Sequence, residues 1–349
     1  MERTELVENL RKMVTVNLET PEELLSSERF LIIYDNDTPL SKELSAAYRE
    51  LLPAGRAFDY YSKTQAEVLA EVERCQAGDL VILIESTSFR MSNFRWRLEL
   101  FNRGLKVIEH AHLSNNWPDE TATYCDTLRF DDEYLKKTSE ALKVLLEKAE
   151  KVRVVSTNGS ELVYEAPFEA IKKNIGDFGQ MKNKGCGFPI GEIFTEPAEI
   201  DKANGEVEIF AFADVIHRVV FPEKNIHLKL EKGQVTLMED KTELEKSEWG
   251  KSLLQVFEML AAENEDGLVW ARELGFGLNR GISKIKHLHD ISDYERVCGV
   301  NMSLVLKHYI YREKVSKVKA QRYHVDIFPD VSEVWIDQEK VFGQGQWLV

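Results

Sequence analysis

Residues Leu80-Val81-Ile82-Leu83-Ile84 form an apolar run of strand length with no polar position on either alternating face. Such a strand must be covered on both sides, which is the situation of a central strand in a parallel sheet layered by helices. The surrounding sequence supplies the partners. Phe30-Leu31-Ile32-Ile33-Tyr34 is a second short apolar run, closed by the turn-forming Asp35-Asn36-Asp37, and Lys106-Val107-Ile108 is a third. Between them, Leu40, Leu44, Ala47, Tyr48 and Leu51 fall on one face of a helix from about Ser41 to Leu52, which Pro53 stops. Thr64 to Cys75 is another amphipathic helix, apolar at Val68, Leu69 and Val72, and a further helical stretch from about Asn93 to Asn102 ends at Gly104. This alternation predicts a three-layer α/β domain with a parallel sheet over residues 1–150, its end marked by a long helix from about Asp132 to Lys151.

The texture then changes. Val152 to Ser156, Glu161 to Tyr164, Val207 to Ala213, His217 to Phe221, Ile226 to Leu230 and Val235 to Met238 are short strand-like runs separated by Gly, Pro, Asn or Asp. One helix, about Glu243 to Ala262, interrupts them. Val300 to Tyr311, Tyr323 to Phe328 and Glu333 to Ile336 close the chain. Residues 151–349 therefore read as an α+β domain with mainly antiparallel sheet, and two domains suit a chain of 349 residues.

A formal charge of −15 argues against non-specific nucleic-acid binding, which needs Lys and Arg to meet phosphate. The charged opening Met1-Glu2-Arg3-Thr4-Glu5 is unlike a signal peptide, and no apolar stretch approaches the length of a membrane span. Cys75, Cys125, Cys186 and Cys298 are scattered and suggest no disulfide framework. The expectation is a cytoplasmic protein with neither nucleic acid nor membrane as partner.

Generic motifs for nucleophilic or phosphate chemistry are absent from the sequence. Three spots remain. Gly185 to Pro197 is a dense Gly/Pro loop with Glu192 at its centre. Glu273 sits among apolar residues and glycines, where Arg272 is its ready ion-pair partner. His324-Val325-Asp326 lies in a strand, where alternation puts His324 and Asp326 on one face about 6.5–7 Å apart at Cα. That is close enough to share a metal ion, although a hydrogen-bonded core pair produces the same pattern. Carboxylates with a histidine make a hard-to-borderline metal site.

The three segments also carry a resemblance. Gly191-Glu192-Ile193-Phe194-Thr195-Glu196-Pro197 resembles the G-E-V-F-T-A-P signature of the aminopeptidase T/S family of metallo-aminopeptidases. Glu273-Leu274-Gly275-Phe276-Gly277-Leu278-Asn279 is similar to its G-E-L-G-I-G-x-N segment, and Tyr323 to Asp326 with the closing Gly345-Gln346-Trp347 to its H-x-D strand and G-x-W terminus. The resemblance implies two divalent ions, zinc or cobalt, held by two glutamates, two histidines and an aspartate. Glu192 and Glu273 would be the glutamates, His324 the second histidine and Asp326 the aspartate, with Glu273 also working on the nucleophilic water. It further implies a homodimer.

Two positions depart from the family. Its first histidine falls on Asn301, a poor substitute for imidazole at zinc, and its tyrosine seven residues on falls on His308, which becomes the candidate catalytic donor or substitute ligand. His287 and His289 are further candidates for the missing ligand. His110 and His112 follow the third strand at the sheet edge that often faces a ligand crevice. Arg90, Arg95 and Arg97 read as helix-surface charges, and Trp335 and Trp347 as packing. Three functions are consistent with this. One is a metallo-aminopeptidase acting on peptide N-termini. The second is a mononuclear non-haem iron oxygenase for a small molecule, since H-x-D is also two-thirds of the iron facial triad and this scaffold is similar to that of a dihydroxypyridine ring-opening dioxygenase. The third is a catalytically inactive, peptidase-like binding protein.

Overall fold

The computed structural model describes residues 1–89, 91, 96–179, 181–307 and 323–349. The chain divides into two compact units, neither a single stretch: Met1–Asp132 with Asn174–Ile190 and Lys286–Asp293, and Glu133–Lys173 with Gly191–Ile285 and Tyr294–Val349. The helix Asp132–Leu146, which the sequence marks as the domain end, enters the second unit from Glu133 on.

In the first unit, strands Phe30–Tyr34 (β1), Arg56–Asp59 (β2), Leu80–Ile84 (β3) and Lys106–His110 (β4) form a parallel sheet in the order β2-β1-β3-β4. Gly185–Gly187 extends it beside β4. Every side chain of β3 is buried, as a strand apolar on both faces requires. On one face Leu31, Ile33, Val81, Leu83 and Val107 pack with Val68 and Val72 of helix Gln65–Glu73 and with Trp96 and Leu100 of helix Trp96–Asn102. Helix Pro39–Leu51 starts where local chemistry dictates. Thr38 caps it by accepting from the Ser41 N–H, and Pro39 sits at its first position, where its missing N–H costs nothing. The sequence does not announce β2. Its residues are half-exposed and charged at both ends, so it lacks the apolar signature of its neighbours.

The second unit is dominated by antiparallel sheet. Six strands pair in a closed circuit: Ala203–Ala213, Ile226–Glu231, Gln234–Leu237, Val269–Gly277 (β6), Gly299–Val305 (β7) and Val325–Pro329 (β8), which returns to Ala203–Ala213. Closure removes exposed sheet edges. A short strand just ahead, Glu192–Thr195 (β5), lines up on β6. A second antiparallel branch continues through Glu161–Glu165, Lys151–Ser156, Val331–Ile336, Glu339–Gly343 and Gln346–Trp347.

Several expected elements differ in extent. The run from Gly185 to Pro197 is no continuous loop; it holds two short strands, and Glu192 opens β5. The helix expected over Glu243 to Ala262 is two helices, Lys241–Leu244 and Glu248–Glu263, because Ser247 caps a new start through the Gly250 N–H. Val269–Gly277 is the strand the sequence concealed, being rich in glycine and interrupted by Arg272 and Glu273. Among the described residues no helix is long and apolar enough to cross a membrane.

Candidate metal centre

Strands β5, β6, β7 and β8 lie side by side, all antiparallel. Glu192 stands opposite Gly277, Gly275 opposite Asn301, and Ser303 opposite Asp326. A sheet thus gathers residues far apart in sequence onto neighbouring positions. The glycines have a steric reason. A Cβ at Gly275 would lie 1.9 Å from Oδ1 of Asn301, so the asparagine side chain occupies the space a larger residue would fill. Gly275→Ala should therefore destabilise the chain by roughly 1–3 kcal/mol through overpacking, and Asn301→Ala in the same chain should recover part of that loss. Urea melts of both single variants and the pair test this, and strictly additive losses would mean that Asn301 is not what Gly275 accommodates.

Glu273, His324 and Asp326 each present a ligand atom within 4.8 Å of the other two. His324 immediately precedes β8, and its Nε2 lies 3.2 Å from Oδ1 of Asp326. That Oδ1 is buried and makes no hydrogen bond among the described residues, so the imidazole nitrogen beside it is close without being aligned as a donor. Two atoms bound to one ion at about 2.1 Å each, at roughly right angles, stand about 3 Å apart. The pair has the spacing of co-ligands, and the orphaned buried oxygen gives the donor set its fit to a divalent ion. The H-x-D pattern thus places its two side chains on one face, as strand alternation predicts. Arg272 is not the ion-pair partner expected for Glu273: its Nε lies 2.7 Å from Glu196.

Glu192 is placed differently. It lies outside the convergent trio, with one carboxylate oxygen against the guanidinium of Arg296 and the other accepting from Nδ2 of Asn301 at 3.1 Å. Asn301 also donates to the Glu295 carbonyl at 2.7 Å, while its own Oδ1 is buried without a hydrogen-bond partner among the described residues. Asn301 thus sits beside the centre and holds Glu192. His308 lies outside the described residues.

The electrostatics follow from this crowding. Burial, partly offset by His324, together with the nearby Glu192 and Asp326 carboxylates pushes Glu273 up to about 8. Burial raises Glu192 even against the pull of Arg296, and Glu295 rises well above the carboxylate range for the same reason. Burial alone would lower His324, but Asp326, Glu273 and Glu295 override it and lift the imidazole to about 10. Acids outnumber bases here, a field that favours a cation.

The remaining sequence candidates have other occupations. His110 is fully buried between the hydroxyls of Tyr48 at 2.9 Å and Tyr124 at 2.7 Å. His112 is exposed, with Nε2 2.7 Å from the Ser88 hydroxyl. His289 pairs with Glu120 at 2.6 Å and stacks on Trp117. His287 is half-buried in the first unit. Arg97 pairs with Glu109, whereas Arg90 and Arg95 lie outside the described residues. Trp347 is buried and donates Nε1–H to the Gly277 carbonyl, and Trp335 bonds Glu333, so both pack against their own sheet. Sequence reasoning missed Glu295 and Arg296. Their signal was an acid–base pair just ahead of the strand that carries Asn301.

No family model matches the chain, and no curated protein matches it. Solved structures do match. A 2,5-dihydroxypyridine dioxygenase from Pseudomonas putida KT2440 aligns over 100% of this chain and 98% of its own, at 15% identity and a TM-score of 0.61. Wild-type AmpT from Thermus thermophilus, an aminopeptidase T, aligns over 99% of each chain at 12% identity and a TM-score of 0.51. Likeness at such low identity concerns the fold. The chain has a peptidase-like fold of two units that an aminopeptidase and a dioxygenase both resemble.

Proposed function

We propose that this chain is a metalloenzyme built on one divalent ion held by Glu273, His324 and Asp326, with the chemistry of a mononuclear non-haem iron oxygenase. The observation that carries this reading is that one histidine and two carboxylates bring ligand atoms within 4.8 Å of one another. His324 and Asp326 are a histidine–carboxylate pair of the kind a facial triad uses, and Glu273 offers a third donor, a carboxylate where the usual set has a second histidine. A ferrous ion there would supply open coordination positions and redox chemistry toward dioxygen.

The protein's own part is positional. Glu273 comes from β6, and His324 and Asp326 from the start of β8, so two separate segments fix the donor atoms against each other. A small hydroxylated heteroaromatic ring is the substrate class suggested by the fold shared with the dihydroxypyridine dioxygenase.

The fold shared with AmpT supports a second reading, a metal-dependent aminopeptidase. It requires a carboxylate to take a proton from water, and Glu273 is the candidate. Metal content separates the two. The expected result, on protein purified without chelators, is iron near one atom per chain, with oxygen uptake on a panel of hydroxylated pyridines. Zinc or cobalt at two per chain, with hydrolysis of aminoacyl substrates, would assign the centre to the peptidase. No bound metal and no turnover would leave a peptidase-like binding protein.

A further inference from the structure

We infer that Arg296 is a built-in counter-cation standing where a second metal ion would otherwise sit, and that it limits the centre to one ion. The inference rests on the reading of Glu273, His324 and Asp326 as a metal centre. The resemblance implies two ions with Glu192 as a ligand, and the described residues around Glu192 do not fit the second.

Nη1 of Arg296 contacts Oε2 of Glu192 and lies 2.7 Å from Oε1 of Glu295. A single guanidinium nitrogen therefore bridges two carboxylates, the position a bridging cation would take. The other oxygen of Glu192 is occupied by the Asn301 amide. Both oxygens are thus engaged before any ion arrives. The pair is well shielded, with side-chain exposures of 5% for Glu192 and 11% for Arg296. Guanidinium does not deprotonate in proteins, so it cannot yield its place by losing a proton as a lysine can. A divalent ion at Glu192 would have to displace the arginine and face its charge at short range in a poorly screened environment. Asn301 fits the same logic. An imidazole there would offer a lone pair to a metal, whereas the amide Nδ2–H donates to Glu192 and to the Glu295 carbonyl, holding the acid for the arginine. Asn301 and Arg296 thus act together, the amide holding Glu192 and the guanidinium meeting its charge.

Neutralising the arginine leaves Glu192 and Glu295 buried without compensation, a costly state that a cation relieves. The full-length chain is stripped with chelator, reloaded by dialysis against zinc, and its zinc per chain counted. Wild type should hold one ion, Arg296→Gln two, and Glu192→Gln with Arg296→Gln one again. An Arg296→Gln chain that folds and still holds one ion overturns the inference, as does a wild type holding two. If Arg296→Gln does not fold, Glu192→Gln decides. With Arg296 keeping Glu192 away from the metal, that change removes a nearby charge but no ligand and lowers zinc affinity by less than about 10-fold, whereas a drop of about 100-fold, the scale of losing a metal-supporting group, would make Glu192 a ligand. The parent reading fails separately, through a wild type that binds no ion.

Discussion

Exchanging Asp326 for Asn should lower the affinity of the centre for a divalent ion by at least about 100-fold, since even groups that merely support ligands contribute 10–100-fold. The change is nearly isosteric, and Asp326 is buried on β8 opposite Ser303, so packing is retained while the charge is removed. Its orphaned Oδ1 is the atom at stake. The effect can be read without any substrate. An ion at a hundred times its dissociation constant stabilises the folded chain by about 2.7 kcal/mol. Weakening binding about 100-fold at the same ion concentration leaves about 0.4 kcal/mol. The metal-dependent part of the unfolding free energy should therefore almost vanish in Asp326→Asn. Glu273→Gln should behave alike, and calorimetric titration should give the same ranking. If both variants bind zinc, manganese and ferrous ion as wild type does, the trio is an acid–imidazole cluster of the core and the enzymatic reading fails.

How much of this was legible beforehand depended on whether a residue's role is set locally. The buried strand Leu80–Ile84 was readable because five consecutive apolar side chains admit few other environments. Helix Pro39–Leu51 was readable from its apolar spacing, and its start was settled by Thr38 and Pro39. His324 and Asp326 were readable as a pair because strand alternation acts over two residues. Glu192 is singled out by its Gly/Pro-rich surroundings, but its occupation is not readable there, since its partner Arg296 is 104 residues away. No periodicity reaches that far. The same holds for Arg272: Glu273 is its nearest acid in sequence, but the sheet brings it Glu196 instead. β6 stayed hidden because the glycines that admit Asn301 and its surroundings dilute the strand signal. Closure of the six-strand circuit is likewise a property of pairing between distant segments.

The other large effect belongs to the parallel-sheet unit and to pH. His110 ends β4 inside the protein, with one ring nitrogen on the Tyr48 hydroxyl and the other on the Tyr124 hydroxyl, which in turn donates to the Phe188 carbonyl at 3.1 Å. Among the described residues no carboxylate bonds the ring, and burial lowers its pKa to about 3. In the unfolded chain a histidine titrates near 6.5. Above that pH His110 is neutral in both states and adds nothing to the pH dependence of stability. As the pH falls below it, the unfolded chain takes up a proton that the folded chain refuses, and stability is lost at about 1.4 kcal/mol per pH unit until about pH 3. Between pH 7 and pH 5 the loss from this one group should be about 2 kcal/mol. His110→Gln keeps a donor and an acceptor but cannot titrate. The variant should start less stable at pH 7, because its amide cannot span both tyrosines as the ring does, and should then lose about 2 kcal/mol less than wild type on going to pH 5. Urea melts at the two pH values, taken on the same metal-free preparation, give the difference directly and cancel every other titrating group common to both chains. Parallel pH dependence in the two proteins would mean that the imidazole gains a proton without unfolding, and that water or a rearranged tyrosine reaches what the structure shows as a sealed core.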